Sequence, residues 1–206
     1  MITSSLVCMI ILTVIIAIPY SSIMEWLLHK YVMHRPVKIW TPWQTYTFWY
    51  PFEAHAMVHH TIFKSDDSYH LKEEKDKFTI PMAWWNGPVL ATLGSIPFVL
   101  ISLFVGTWIV EITAWLTIFG YYCTYEYIHW CMHLPKNRIV EEIGLFSGRN
   151  GHHLLHHRHM DKNFNVVLPI ADWLFGTLIR RAPYKFTQVK GPSVPDVQPV
   201  TKLVDK

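Results

Sequence analysis

The sequence predicts an all-α integral membrane bundle: about three transmembrane helices and a cytoplasmic, helical, histidine-rich cap holding a dinuclear metal site. Three observations carry that prediction. Half of the 206 residues are hydrophobic (51%) and only 16% are charged, a low charge content for a soluble domain of this length. All eighteen Lys and Arg fall within residues 30–77 and 136–206, leaving 1–29 and 78–135 without any. Ten of the thirteen histidines form four short clusters, each placed where an apolar stretch ends.

The elements follow in order along a single domain, residues 1–182. Residues 2–28 are apolar with one carboxylate, Glu25, near the end. No basic residue precedes the run and no small-residue cleavage site follows it, so a span over about 4–28 is expected rather than a signal peptide. Residues 35–80 read as a polar and aromatic loop with at least one helix carrying HAMVHH. About fifty apolar residues come next, opened by Pro81 and interrupted at Gly106. Two spans, 81–104 and 107–130, with a tight turn near Val105–Thr107 account for their length. A hairpin returns the chain to the side it left, which places 30–80 and 129–206 together. That side is rich in Lys and Arg, and by the positive-inside rule it is the cytoplasm. Residues 134–182 are a helical cytoplasmic segment, and 183–206, rich in Pro, read as a loose tail.

The net charge of +3 does not point to nucleic acid, because the basic residues flank apolar segments without aromatic interleaving. Cys8, Cys123 and Cys131 all lie in apolar stretches with no CxxC pair, which argues against both disulfides and thiolate metal sites. Trp40, Trp43, Trp49, Trp84, Trp85 and Trp130 suit an interfacial belt.

The four clusters are HKYVMH (His29, His34), HAMVHH (His55, His59, His60), HWCMH (His129, His133) and HLLHH (His153, His156, His157). Helical residues three and four apart share a face, so His129 and His133, His55 and His59, and the His153–His156–His157 triplet are each expected to point one way. His29 and His34 are five apart and need the helix to loosen between them. Unliganded neighbours of this kind repel whenever protonated. Ten imidazoles exceed what one ion takes, and two ions at four or five ligands each fit the count. Imidazole suits iron, zinc, copper and nickel alike. Glu25 (i, i+4 to His29) and Glu126 (i, i+3 to His129) are expected to orient rings from outside. Glu53, Asp161 and Asp172 are weaker candidates, and His70, His152 and His159 have no assigned role.

The four clusters in this order resemble those of the fatty acid hydroxylase/sterol desaturase superfamily of membrane di-iron oxygenases, as does NFNVVLPIADWLFGT (163–177). The resemblance covers roughly residues 25–177. Two features depart from it: HAMVHH has three residues before its final pair where many relatives have two, and about three spans are visible where many have four. It implies that the ten clustered histidines hold two iron ions, with zinc an expected substitute in vitro, and that O2 is the co-substrate. A bilayer lipid, such as a fatty acyl chain or sterol, would be hydroxylated or desaturated. No haem motif is present, so the electrons would come from an external donor of cytochrome b5 or ferredoxin type. The competing expectation is a membrane metal-binding or metal-transport protein without oxygenase activity. Transporters usually place ionisable residues mid-span; here the histidines gather at one end.

Overall fold

The computed structural model describes residues 4–40, 45–136 and 138–180; the expected tail, 183–206, lies outside them, as does Trp43. The described chain is mostly helical. Helix α1 (Ser4–Leu28) runs into a π-helical turn over His29–Met33. A hairpin of β1 (Val37–Trp40) and β2 (Thr45–Phe48) follows, paired antiparallel with Val37 opposite Phe48. Short helices α2 (Tyr50–Phe52) and α3 (His60–Ile62) flank a second π-turn, Glu53–His59. Then come α4 (Asn86–Val105), α5 (Ile109–His133), α6 (Ile139–Glu142), α7 (Gly144–Arg158) and α8 (Ile170–Leu174).

The hairpin corrects the all-α expectation. TYTF alternates β-branched and aromatic residues and VKIW carries two β-branched residues and a tryptophan, a composition that favours a pleated ribbon over a helix.

Two helical stretches, Ser4–Met33 and Asn86–Val105, are long and apolar enough to cross a membrane. Helix α5 occupies the place of the third expected span, but carries Glu111, Glu126 and a histidine pair. The turn between α4 and α5 falls where expected. Gly106 closes α4 with φ +71°, a left-handed conformation that only glycine adopts without steric cost, and its N–H bonds the Ser102 carbonyl. Helices α4 and α5 pack along their length and α1 lies against α5. Small residues at the contact, Ala17, Ala91 and Ala114, are fully buried. At Gly87 an added Cβ would lie 2.7 Å from the Tyr122 ring, so glycine is needed for α4 to approach α5 there.

This arrangement brings the end of α1, the start of α4 and the end of α5 to one end of the bundle. The other end is bare and apolar: Ile11, Leu12 and Ile15 on α1, Leu100 and Leu103 on α4, and Leu116 on α5 are all exposed.

Candidate metal centre

The ten clustered histidines meet at the histidine-bearing end of the bundle and sort into two groups that can each hold a metal ion. His29, His34, His55, His60 and His156 form one group; His59, His129, His133, His153 and His157 form the other. Within each group the ligand atoms lie within 4.8 Å of one another. Nine of the ten are buried and His34 is half-buried. Adjacent residues fall in different groups: His59 beside His60, and His156 beside His157. The two groups therefore share a wall, with the His60 and His157 rings 4.3 Å apart across it.

The π-turns explain the sorting. An i→i+5 backbone bond widens the turn so that residues five apart align. His34 N–H bonds the His29 carbonyl (3.1 Å), and His60 N–H bonds the His55 carbonyl. Both i, i+5 pairs enter the first group. The α-helical i, i+4 pairs, His129 with His133 and His153 with His157, enter the second. Two spacing expectations are corrected here. His55 pairs with His60 rather than His59, and the His153–His156–His157 triplet splits because His156 sits about 100° around the helix from His157.

Ring protonation is fixed from outside. A backbone carbonyl only accepts, so a ring nitrogen facing one carries the proton and the opposite nitrogen presents its lone pair. In the first group His29 Nδ1 donates to the Phe164 carbonyl (2.5 Å) and His156 Nδ1 to that of Lys162 (2.7 Å). In the second, His133 donates to Tyr69 (2.8 Å), His157 to Phe63 (2.5 Å) and His59 to Thr79 (3.3 Å). The Nε2 atoms then converge on one another: His133 and His157 both approach His153 Nε2, at 3.1 and 3.0 Å. One proton at most sits on His153 Nε2, so two lone pairs cannot both be satisfied. His59 Nε2 and His129 Nε2 are buried with no hydrogen-bond partner. Unsatisfied acceptors buried at this density are costly, and a cation at the centre of each group satisfies them. The residues fit a pair of metal ions.

Two of those carbonyls come from one loop. Asn163 adopts a left-handed conformation (φ +54°), and its neighbours Lys162 and Phe164 aim their carbonyls at His156 and His29. The loop is held by Asp172, which is fully buried and accepts from the N–H groups of Phe164 (2.9 Å) and Asn165 (2.8 Å), from Thr177 Oγ1 (2.7 Å) and from His152 Nε2 (3.1 Å). Burial alone would raise the Asp172 carboxyl, but the bonds from His152, Thr177 and the Asn165 N–H hold it below its ordinary value. Burial outweighs the carboxylate at His152 and lowers that ring, so the contact is a neutral imidazole donating to a carboxylate. Asp172 thus supports the site through the backbone and touches no ligand ring.

Glu25 and Glu126 likewise do other work than expected. Glu25 accepts from Tyr121 Oη (2.7 Å), Asn165 Nδ2 (3.0 Å) and the Val166 N–H (2.6 Å), tying the same loop to α1 and α5. Glu126 accepts from the Met82 N–H (3.2 Å). Glu53 is exposed, and Asp161 lines a surface pocket beside Lys30 and His34. His70 Nδ1 donates to the Met132 carbonyl (3.1 Å) without joining either group, and His159 is exposed at the end of α7.

Burial lowers the rings outside the long apolar helices. His34 and His59 fall to about 3 and His156 to about 4, while His55, His60, His153 and His157 are also pushed down, each chiefly by desolvation. Unfolded imidazoles take up protons near pH 6.5, whereas His34, His59 and His156 stay neutral until about pH 3–4 and the other four are lowered as well. The unfolded chain therefore binds more protons throughout that window, and stability falls as pH drops below about 6.5 and is flat above it. Metal-depleted protein is expected to melt lower at pH 5.5 than at 7.5, with no change between 7.5 and 8.5. Equal melting at 5.5 and 7.5 would show that the rings are not buried neutral.

An apolar cavity of about 380 Å³ reaches the site from the bundle. Its wall includes His29 and His55 from the first group and His59 and His129 from the second. Fold and site together define a mostly helical, histidine-rich protein with two adjoining metal-binding groups at the head of an apolar cavity. No family model, no curated protein and no solved structure matches this chain.

Proposed function

We propose that this chain is an integral membrane di-iron oxygenase that uses O2 and external electrons to hydroxylate or desaturate a lipid. The observation that carries the proposal is the apolar cavity whose wall contains imidazoles of both groups: a hydrocarbon placed there would lie beside residues of both groups at once. The bare apolar side chains of α1, α4 and α5 support three spans, since extended exposed apolar surface marks contact with a membrane or partner. The segregation of Lys and Arg to the histidine end supports a cytoplasmic site by the positive-inside rule. Iron held by the two groups of five histidines would supply a redox couple able to reduce O2, which zinc lacks.

The protein's own residues hold, orient and exclude. Carbonyls of Phe164, Lys162, Tyr69, Phe63 and Thr79 fix which ring nitrogen faces inward. The burial of the imidazoles keeps bulk water from the centre, and the cavity wall places the C–H bond beside it. Hydroxylation puts one oxygen atom into that bond and releases the other as water; desaturation removes two hydrogens and releases both oxygens as water. Each needs two electrons per O2, which a separate donor of cytochrome b5 or ferredoxin type supplies.

Purified protein reconstituted with bilayer lipid, a reducing partner and isotopically labelled O2 tests the proposal. It is expected to yield a lipid carrying one labelled oxygen, or one that has lost two hydrogens, only when both O2 and reductant are present. Two bound ions with no altered lipid would favour a metal-binding or transport role instead.

A further inference from the structure

The cavity is a slot between α1 and α4 with α5 as its back wall. One residue beyond the lining residues Ser21 and Leu93, Tyr20 crosses from α1 to α4: its hydroxyl donates to the Gly94 carbonyl (2.9 Å) and its ring meets Phe98 edge-on at 5.5 Å. Above that bridge the slot opens. Its deepest lining residues are Ser21, Leu93 and Ile118, and Ile118 belongs to the packed cluster with Ala17, Ala91, Phe98 and Ala114. Val89 and Leu93, on the α4 rim, are 42% and 58% exposed, so the slot also opens sideways onto the face that a bilayer would cover. At the imidazole end its rim carries Tyr50 and Trp85, stacked at 6.5 Å.

The dimensions select a shape. The lining runs from His29 to Ser21 on α1 and from His129 to Ile118 on α5, about 12 and 16 Å at 1.5 Å per residue. An extended chain advances about 1.2 Å per bond, since three backbone bonds span about 3.5 Å. About 10–14 bonds therefore fit below the imidazoles. That is the length of a linear hydrocarbon tail.

We propose that this slot takes a single linear acyl-type chain tail-first, with Tyr20 as the floor that sets its length, so that the atoms beside the imidazoles belong to the polar half of the lipid. The assignment rests on the oxygenase reading for its consequence, the carbon attacked, but not for the binding itself.

Binding of straight-chain fatty acids of increasing length, measured as displacement of radiolabelled hexadecanoate from the purified protein, tests it without turnover. Wild-type affinity is expected to reach a ceiling, beyond which a longer chain loses about fivefold or more, the cost of overpacking. Tyr20→Ala is expected to move the ceiling to longer chains and Leu93→Trp to shorter ones; Leu93 is half-exposed, so that variant keeps the test available if the first unfolds. The same ceiling in every folded variant, or cholesterol displacing the probe as well as a linear chain does, would overturn the proposal. A shifted ceiling with no lipid product would leave the slot standing and remove the oxygenase, whereas turnover with an unshifted ceiling would do the reverse.

Discussion

Replacing His153 with alanine is expected to leave the chain with one bound metal ion instead of two. His153 is fully buried, and its Nε2 faces both His133 and His157 at 3.0–3.1 Å, so it stands at the middle of the second group. Losing a residue that merely orients a ligand typically costs 10–100-fold in metal affinity; losing the ligand itself is expected to cost more than about 100-fold. His29→Ala should remove the ion of the first group by the same reasoning. His159→Ala, outside both groups, should keep two. Metal analysis of the three purified variants separates the outcomes. If His153→Ala retained both ions, or His159→Ala lost one, the five-and-five division would be wrong.

Asp172→Ala is expected to have the largest effect on folding. It strands four buried donors, those of Phe164, Asn165, Thr177 and His152, and breaking a buried charged network costs about 3–5 kcal/mol. At 2–4 °C per kcal/mol for a chain of this size, the melting temperature should fall by about 10 °C. Because the freed loop carries the Phe164 and Lys162 carbonyls, metal should be lost from the first group before the second. An unchanged melting temperature, or loss confined to the second group, would contradict the role given to this loop.

Much of the site was legible in the sequence because ligand chemistry restricts residue type. The ten histidines and their gathering at one end follow from cluster spacing and from the Gly106 turn. Their sorting was not legible. Helical spacing treats His55 and His59 as partners, whereas a π-turn, which has no sequence signature here, pairs His55 with His60 and sends His59 to the other group. The carbonyl anchors were also invisible, since a backbone oxygen leaves no mark on the side-chain pattern. Only Asn163 hinted at them, as a residue that tolerates positive φ. Glu25 was read as orienting His29 from its position on the helix; it instead holds residues 165–167, contacts about 140 positions away in the chain. The β-hairpin was missed because four-residue strands in an aromatic segment carry too short an alternation to stand out.

The measurement that bears most directly on the central claim is the iron content of protein purified from iron-replete cells. Two converging groups of five imidazoles predict two iron ions per chain, both removed by excess chelator. A chain that purifies folded with no iron, or that holds a single ion however much iron is supplied, would contradict it.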